Sequence, residues 1–549
     1  MRPLLLTRLS ICLYSANSSI FPSESLAASS VTQRKEEYSR MANAKTVMFQ
    51  GTSSNVGKSV LAAAFCRIFY QDGYKVAPFK AQNMALNSFV TRDGLEMGRA
   101  QVVQAQAAGV EPDVIMNPIL LKPTGHASSQ VVVLGKAIGN LSAQEYHLRY
   151  NLTALQIVQD AFAKLNSENE IVVIEGAGSP AEVNLKDRDI VNMRVAKLAE
   201  APVFLVADID RGGALASIVG TLELLYPDER PYIKGIIINK FRGDLKLLQP
   251  ALDFLEAKTG IPVLGVVPYY TEFSIPEEDS VVLEEHKSIP IPVAGQLDIA
   301  VLAIPRIANF TDFDPFAAEP DVNLRYVRTA EELGRPDLII LPGSKNTSED
   351  LQYLWTTGLA EAVQKLAGSG IPIMGICGGY QMLGRRIHDP EQTESTRGSV
   401  PGLGLLPLET TFFAEKVTKQ VQGRVCGHGF CLDDCPDEDL QGYEIHMGLT
   451  VLDEGLSPAL VLQTEGQGHL DGAVAGNVMG TYLHGIYDND RFRHHLLSWL
   501  WQRNGQEQRP VAAAYSVSAA RERDFNQLAD LVRSNLDMNK VRKIMGLVE

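Results

Sequence analysis

The sequence predicts an α/β protein with two doubly wound domains, each built around a parallel sheet. Short apolar runs rich in β-branched residues alternate with helical patterns over residues 46 to about 268, and the alternation resumes at residue 298. In each stretch one strand candidate ends in a glycine-containing turn that opens a helical pattern, first at Gly51 and later around Cys377. Because parallel strands are buried on both faces and need helices on both sides, this alternation is typical of parallel sheets.

Each predicted strand is a short apolar run bounded by turn residues. In the first domain, strands are predicted at residues 46–50, 75–78, 171–175, 203–208, 235–239 and 263–267. A helix is predicted between the first two strands, because apolar residues recur there with helical spacing until Gly73. In the second domain, strands are predicted at residues 298–304, 338–341, 373–376 and 472–481.

The domain borders follow from composition. Residues 269–296 mix acidic residues with Pro276, Pro290 and Pro292 and show no sustained periodicity, which indicates a linker. We therefore predict a first domain over residues 41–290, a second over 298–493 and a C-terminal helical extension over 494–549.

Residues 1–40 combine Arg2 and Arg8 with several leucines and resemble a weak targeting peptide. They have three interpretations: a poor secretion signal, an organellar transit peptide, or an untranslated lead-in before a true start at Met41. The last is favoured, because the first strand candidate begins only at residue 46. If they are translated, a disordered extension is expected.

Charge and cysteine content exclude several classes of protein. With 50 basic and 65 acidic side chains, the net charge is −15, which argues against a general nucleic-acid or anionic-membrane surface. The six cysteines are spaced too unevenly for a secreted disulfide framework, and no run approaches the roughly 20 apolar residues of a membrane span. These features predict a soluble protein of the reducing cytoplasm, with no nucleic-acid and no membrane partner.

A phosphate-binding loop is predicted between the first strand and the first helix. Backbone N–H groups between Gly51 and Gly57 can curl around phosphates at the helix N-terminus. Lys58 is expected to contact the terminal phosphates of ATP, and Ser59 is expected to bind Mg²⁺. Five residues separate the two glycines, whereas the common motif has four.

Four further residues are candidates for the same site. Glu175 ends a buried strand, where open α/β sheets bind ligands, and is a predicted magnesium ligand. Asp208 ends another strand and is a candidate metal ligand, with capping of the next turn as its alternative. Asn239 can read the adenine edge or simply form a turn. Lys80 can add positive charge near the phosphates or be a solvated surface lysine.

These features resemble the dethiobiotin synthetase-like ATP-binding fold. The resemblance rests on the five-residue spacing, on Glu175-Gly-Ala-Gly and on Lys-Ala-Gln-Asn-Met from Lys80. It implies that a substrate carboxylate is activated as an acyl phosphate, with ATP and Mg²⁺ as cofactors. The loop spacing alone does not distinguish this chemistry from that of partitioning ATPases or other NTPases.

The second domain contains a predicted nucleophile. Gly375-Ile-Cys377-Gly-Gly379 follows a strand and opens a helix, which is the layout of a nucleophile elbow, and a helix N-terminus favours the reactive thiolate. His484, just beyond the last predicted strand, is the best-placed base. His446 is its competitor and can instead line the substrate pocket beside Cys377 or the face between the domains. His494 and His495 are expected at the surface.

A strand ending at Gly343 offers a backbone N–H that can join that of Gly378 in an oxyanion hole. Together these features resemble a class I glutamine amidotransferase domain over about residues 298–493, which implies a flavodoxin-like sheet. The acidic residue that usually follows the histidine by two places is absent, since position 486 is Ile486. Either another group orients His484, or Cys377 and His484 act as a dyad without a third residue. This resembles the cobyrinate-amidating branch of the family.

The domain order and three motifs support that branch across nearly the whole chain after Met41. The motifs are Lys-Ala-Gln-Asn-Met, Asn-Pro-Ile-Leu-Leu-Lys-Pro from Asn117 and Gly-Tyr-Glu-Ile-His-Met-Gly from Gly442. The resemblance implies glutamine and a corrinoid as substrates. It also implies ATP-dependent amidation of the b, d, e and g carboxylates of cobyrinic acid a,c-diamide, in cobalamin biosynthesis. Two alternatives remain: a sister enzyme that amidates the a and c carboxylates, and a non-catalytic P-loop switch with an inactive C-terminal half.

A second cluster contains four potential zinc ligands within ten residues: Cys426, His428, Cys431 and Cys435. Their number suits a closed structural site. Their spacings differ from those of common zinc motifs, so free thiols are the favoured interpretation.

Overall fold

A computed structural model describes residues 44–124, 128–142, 151–271, 273–276, 295–436, 438–464, 467–506, 509 and 515–548. The predicted N-terminal extension and residues 277–294 of the predicted linker lie outside the described residues. None of the described helices combines the length and the apolarity needed to cross a bilayer.

The first half, up to Pro268, is centred on a parallel sheet. Its strands are β1 (Lys45–Gly51), β2 (Val76–Phe79), β3 (Gln82–Met84), β4 (Ser88–Val90), β5 (Glu96–Gly98), β6 (Ile119–Pro123), β7 (Ser128–Val133), β8 (Lys136–Ser142), β9 (Ile171–Glu175), β10 (Val203–Asp208), β11 (Ile233–Phe241) and β12 (Val263–Pro268). Its α-helices are α1 (Lys58–Gln71), α2 (Arg99–Ala107), α3 (Asn151–Glu168), α4 (Met193–Leu198), α5 (Ala214–Leu224) and α6 (Leu245–Thr259). Short 3-10 helices cover Val114–Met116, Lys186–Arg188 and Arg230–Tyr232.

The central sheet has the strand order β12-β11-β10-β1-β9-β2, and every pair in it is parallel. Its side chains are buried in two apolar clusters, one on each face, as expected when helices cover both sides. The fold prediction for this half is confirmed. All six predicted strands are present, and their ends differ from the prediction by two residues or fewer.

A smaller sheet with the order β3-β6-β7-β8 and the antiparallel β4–β5 hairpin were not predicted. Strands β3, β4 and β5 contain only three residues each, so no periodic pattern can develop. The hairpin lies between β3 and α2, and it contacts the second half of the chain, where Gln420 donates to the carbonyl of Val90 (2.9 Å).

The second half contains the remaining elements. Its strands are β13 (Leu297–Leu302), β14 (Ile307–Ala308), β15 (Val322–Val327), β16 (Leu338–Leu341), β17 (Gly343–Ser344), β18 (Ile373–Ile376), β19 (Arg386–His388), β20 (Ser399–Pro401), β21 (Leu408–Val425), β22 (Leu440–Leu452), β23 (Leu460–Thr464), β24 (Gln467–Asp471), β25 (Ala473–Ala475) and β26 (Val478–Thr481). Its α-helices are α7 (Asp314–Ala317), α8 (Ala330–Leu333), α9 (Thr347–Thr356), α10 (Leu359–Gly368), α11 (Gly378–Leu383), α12 (Asp490–Arg503), α13 (Val517–Asn535) and α14 (Met538–Ile544), with 3-10 helices at Phe310–Phe313 and Ile486–Asp488.

The main sheet of this half has the order β15-β13-β16-β18-β26-β25. All of its pairs are parallel except β25–β26, so a second parallel-sheet domain was correctly predicted. The single strand predicted at 472–481 is wrong: two antiparallel strands, β25 and β26, turn at Gly476, whose φ of 58° suits glycine.

An antiparallel sheet, β20-β19-β21-β23-β24 with β22 beside β21, was also missed. Its longest pair is β21 with β22. Many residues of these strands are polar and half-exposed, so they lack the continuous apolar runs that marked the parallel strands.

The C-terminal helix α13 returns to the first half and packs against α1. Arg67 of α1 forms an ion pair with Glu522 (2.5 Å) and donates to Asn526 (2.9 Å). Phe525 and Leu528 of α13 belong to the apolar cluster that covers one face of the first sheet. Helix α13 therefore completes the apolar core of the first half.

Candidate active sites

The phosphate-binding loop follows β1 and opens α1, as predicted. Gly57 has φ 96°, in the left-handed region, and a Cβ there would lie 2.1 Å from Nδ2 of Asn239. Only glycine satisfies both restrictions. The buried Lys58 folds over the loop, and its Nζ donates to the carbonyls of Ser53 (3.0 Å) and Gly178 (3.2 Å).

Ser59 and Glu175 meet beside this loop. Ser59 Oγ donates to Glu175 Oε1 (2.7 Å), Lys80 Nζ donates to the same oxygen (2.9 Å), and Gln104 Nε2 donates to Oε2 (2.6 Å). Burial alone would raise the pKa of Glu175, but the charge and hydrogen bond of Lys80 and the other two hydrogen bonds hold it below its usual value. Glu175 is therefore an ionised carboxylate, and Lys80 is a buried partner rather than a surface lysine.

Ser59 and Glu175 fit the chemistry of a magnesium site. Mg²⁺ prefers hard oxygen ligands, and it is commonly held by one or two protein oxygens together with phosphates and water. The hydroxyl of Ser59, which follows Lys58 in the sequence, and the carboxylate of Glu175 lie 2.7 Å apart, line the same cavity as Lys58 and provide such oxygens.

Asp208 is not brought to this pair. In the sheet, Glu175 of β9 and Phe204 of β10 both lie level with Phe49 of β1. Asp208 follows Phe204 by four residues, so it lies about 13 Å further along β10 than the level of Glu175. Its Oδ1 caps the backbone N–H of Asp210 (2.9 Å), and its Oδ2 pairs with Lys240 (3.1 Å). The structure therefore shows the capping contact that the sequence analysis gave as the alternative, and the role of Asp208 as a metal ligand stays a prediction.

Asn239 supports the phosphate-binding loop. Its buried Nδ2 donates to the carbonyl of Val56 (2.8 Å), which uses one of the two N–H donors of the amide. Asn239 also lines the large cavity described next, so the contact with the adenine edge stays a prediction.

A cavity of about 930 Å³ runs along the C-terminal edge of the first sheet. Gly57, Lys58, Ser59 and Glu175 line one part of it, and Arg188 and Arg242 line other parts. This volume lies near the upper end for small-molecule sites. It is large enough to hold a nucleotide.

Cys377 occupies a nucleophile elbow between β18 and α11. Its φ of 52° is unusual for a residue with a side chain, and such strained conformations are typical of exposed nucleophiles at strand-to-helix turns. A Cβ at Gly379 would lie 2.0 Å from the carbonyl oxygen of Leu341, and one at Gly375 would lie 2.7 Å from the backbone of Gly379. Both glycines are therefore required by the tight packing around this turn.

His484 is buried and lines the same small cavity as Cys377, whose thiol donates to the carbonyl of Ile445 (3.6 Å). The sequence did not reveal the acidic partner of His484: Nδ1 of His484 bonds to Oδ2 of Asp312 at 2.6 Å, and the backbone N–H of Gly485 donates to Oδ1 (3.2 Å). Asp312 lies in the 3-10 helix Phe310–Phe313 and supplies the acidic group that is absent at position 486. The site is a Cys–His–Asp triad rather than a dyad.

The triad fixes the charge of His484. Burial by itself would lower the pKa of His484, but the charges of Asp312 and Cys377 and their hydrogen bonds raise it to about 10. The imidazolium form therefore persists at neutral pH, where it can protonate a leaving amine.

The two predicted oxyanion residues also meet at Cys377. A Cβ at Gly378 would lie 2.8 Å from the backbone N of Ser344, and one at Gly343 would lie 3.3 Å from Cε1 of His484. Gly343, Cys377 and His484 line the same small cavity.

The other histidines have different surroundings. His446 lines this cavity. Its ring stacks on that of Tyr482 (3.7 Å between ring centroids) and lies 3.6 Å from Glu444, so these contacts favour its role in the pocket wall over that of the base. His494 and His495, expected at the surface, are half-buried. His494 pairs with Glu319 (3.2 Å), and Nε2 of His495 lies 2.7 Å from the carbonyl of Cys431.

The candidate zinc cluster is not assembled. Cys431 is buried and Cys426 is exposed. Across the described residues, no three His, Cys, Asp or Glu side chains form a group suited to a metal ion.

A phosphate-binding half and a cysteine-dependent glutaminase half in one chain define a glutamine-dependent amidotransferase. Residues 47–282 match the CobQ/CobB/MinD/ParA nucleotide binding domain, and residues 298–492 match the CobB/CobQ-like glutamine amidotransferase domain. The chain is 62% identical to cobyric acid synthase of Desulfitobacterium hafniense over 92% of its own length and 98% of that protein. Identity is 59% with the Pelotomaculum thermopropionicum protein (92% and 97%) and 58% with the Moorella thermoacetica protein (92% and 98%). The chain belongs to the cobyric acid synthase family and is a glutamine-hydrolysing carbon–nitrogen ligase.

Proposed function

We propose that this enzyme amidates the b, d, e and g carboxylates of cobyrinic acid a,c-diamide, in its adenosylated form, during cobalamin biosynthesis. The proposal rests on the family and on one observation above all: an Asp312–His484–Cys377 triad and a Ser59–Glu175 pair beside a phosphate-binding loop occur in one chain. The first group can release ammonia from glutamine, and the second can bind ATP.

In the synthetase half, ATP transfers its γ-phosphoryl group to a corrin carboxylate. A free carboxylate is too poor an electrophile for ammonia, so an acyl phosphate is needed. The loop after Gly51 and Lys58 hold the phosphates. Ser59 and Glu175 would hold Mg²⁺, which would neutralise phosphate charge when bound. Arg188 and Arg242 of the large cavity provide positive charge for the carboxylates of a corrinoid.

In the glutaminase half, the Cys377 thiolate attacks the side-chain amide of glutamine. The backbone N–H groups of Gly343 and Gly378 stabilise the oxyanion, and His484 gives its proton to the departing ammonia. His484 then activates the water that hydrolyses the thioester to glutamate. Asp312 keeps the imidazole in the orientation that both steps require.

Ammonia must reach the acyl phosphate without becoming ammonium, so we propose a shielded route between the halves. Residues of both halves meet at the small cavity beside Cys377. Lys122 from β6 and Lys416 from β21 line it, and both pair with the buried Glu96 (2.8 and 2.5 Å). Ammonia is therefore released where the synthetase half already forms part of the wall.

We also propose that the enzyme works in the cytoplasm. The described cysteines, including the exposed Cys426, are free thiols, which suits a reducing compartment.

The test is mass spectrometry of the product formed from the a,c-diamide, glutamine and Mg-ATP. Four successive amide-for-acid replacements are expected. Cobyrinic acid, offered as the alternative substrate, should react far less well. Preferred amidation of cobyrinic acid would indicate the sister enzyme, and no amidation of either substrate would indicate a switch protein.

Replacing Lys58 by Met should lower amidation about 10²- to 10³-fold with either glutamine or ammonia as the nitrogen source, because one preorganised charge is lost from the phosphate site. Steady-state rates with both nitrogen sources check this expectation. Lys246→Met, on the exposed surface of α6, is the matched control and should leave both rates unchanged. A Lys58→Met enzyme that loses only the glutamine-supported rate would contradict the assignment.

A further inference from the structure

The catalytic His484 has two neighbours besides its triad partners. Its ring stacks on that of Tyr443, with 5.2 Å between centroids and 13° between planes, and the two backbones exchange hydrogen bonds (3.2 and 2.9 Å). Nδ2 of Asn309 lies 3.5 Å from Nδ1 of His484 and donates to Oη of Tyr443 (3.3 Å). Asn309 and Tyr443 therefore restrict where the imidazole can lie.

Both neighbours are held by one residue of the synthetase half, Ser88. The backbone N–H of Ser88 donates to Oδ1 of Asn309 (2.9 Å), and the hydroxyl of Tyr443 donates to the carbonyl of Ser88 (3.2 Å). Next to it, Oδ1 of Asn87 accepts from the backbone N–H of Phe310 (3.0 Å), at the start of the 3-10 helix that carries Asp312. We call Asn87, Ser88, Asn309 and Tyr443 the clasp.

The clasp is buried and conformationally strained. Asn87, Ser88, Asn309 and Tyr443 are all less than 5% exposed, so a partner lost here is not replaced by bulk water. Asn309 has φ 54°, in the left-handed region, which is uncommon for a residue other than glycine. Strain of this kind persists where surrounding contacts fix it, and here those contacts come from the other half of the chain.

The β4–β5 hairpin, which carries Ser88 of the clasp, is joined at both ends to segments of the ATP site. Ser88 begins β4 of the β4–β5 hairpin. On the N-terminal side, β3 supplies Gln82, Asn83 and Met84 to the wall of the large cavity. On the C-terminal side, α2 follows directly, and its Gln104 donates to Glu175 (2.6 Å). Any shift of this segment on substrate binding would thus reach Ser88.

We propose that Asn309 and Tyr443 are positioning residues. Through them, the orientation of His484 depends on the position of the β4–β5 hairpin of the synthetase half. The inference rests on the proposed function, since it concerns the same glutaminase. Glutamine hydrolysis is then fast only when the hairpin holds Ser88 in place, which limits the release of ammonia that no acceptor can use.

The test uses two variants of the full-length enzyme. Tyr443→Phe removes the hydroxyl but keeps the ring on His484, and Asn309→Gly removes the side chain but tolerates the positive φ. For each, we expect kcat with glutamine to fall about tenfold, as for the loss of a buried hydrogen bond, while KM for glutamine stays within about twofold. The stimulation of glutaminase by Mg-ATP and the a,c-diamide should fall with it, and amidation with ammonia should stay unchanged.

Gln420→Ala is the matched control, because Gln420 contacts the same hairpin at Val90 but does not contact His484. It should leave kcat and stimulation unchanged. The proposal is overturned if both clasp variants keep wild-type kcat and stimulation, if Gln420→Ala has the same effect, or if the variants lose ammonia-supported amidation as well, which would indicate a general structural role. A wild-type enzyme that cannot amidate the a,c-diamide with ammonia would instead contradict the proposed function.

Discussion

Cys377→Ala is expected to abolish amidation with glutamine, by about 10⁶-fold, while amidation with ammonium chloride continues. Without the thiolate no thioester can form, and water alone hydrolyses an amide extremely slowly. In the proposed scheme the acyl phosphate forms beside Ser59 and Glu175, at the C-terminal edge of the other sheet, and needs only ammonia. Rates of corrinoid amidation with each nitrogen source, measured above neutral pH where free ammonia is present, check this result.

The control for this substitution is Cys426→Ala, which removes an exposed thiol outside both sites. It should leave both rates unchanged. If Cys377→Ala lost the ammonia-supported rate as fully as the glutamine-supported rate, the two sites would not be chemically independent. The scheme of separate ammonia release and carboxylate activation would then be wrong.

The nucleophile and the phosphate-binding loop could be predicted because their chemistry is local. Gly375 and Gly379 flank Cys377 within one turn, so the motif is visible in the sequence. The packing that demands Gly375 lies within that turn, whereas the packing that demands Gly379 comes from Leu341 of the neighbouring strand. The loop that ends at Lys58 is similar, since its glycines, strand and helix adjoin in the sequence. The strands of the parallel sheets could also be predicted, because burial on both faces produces continuous apolar runs in the sequence.

The features of the two sites that could not be predicted depend on contacts between distant parts of the chain. Asp312 precedes His484 by 172 residues and lies in a 3-10 helix of four residues, so no spacing links the two. Asn239 reaches the phosphate-binding loop from another strand, so its hydrogen bond to Val56 could not be predicted from the sequence. The acid absent at position 486 was a signal that another carboxylate had to be sought.

Asp312→Asn is expected to lower glutamine-supported amidation by about 10⁴-fold, the effect of the same substitution in other triads. The amide cannot stabilise an imidazolium, and it no longer orients Nδ1 of His484. The pH dependence should change as well. In the wild type the proton on His484 is held up to a pKa of about 10, so glutaminase activity that needs the imidazolium should decline only as the pH rises through that value.

In the Asp312→Asn enzyme, the desolvation of His484 is no longer opposed by the carboxylate, so the pKa of His484 falls and the alkaline decline moves to lower pH. The measurement is the pH profile of glutamate release, with ammonia-supported amidation as the reference for an intact synthetase half. Asp314→Asn, two residues further on, is the matched control and should keep the wild-type alkaline limb. An Asp312→Asn profile with an unshifted limb would show that Asp312 supports the structure without setting the charge of His484. His484 and Cys377 would then act as the dyad that the sequence had left open.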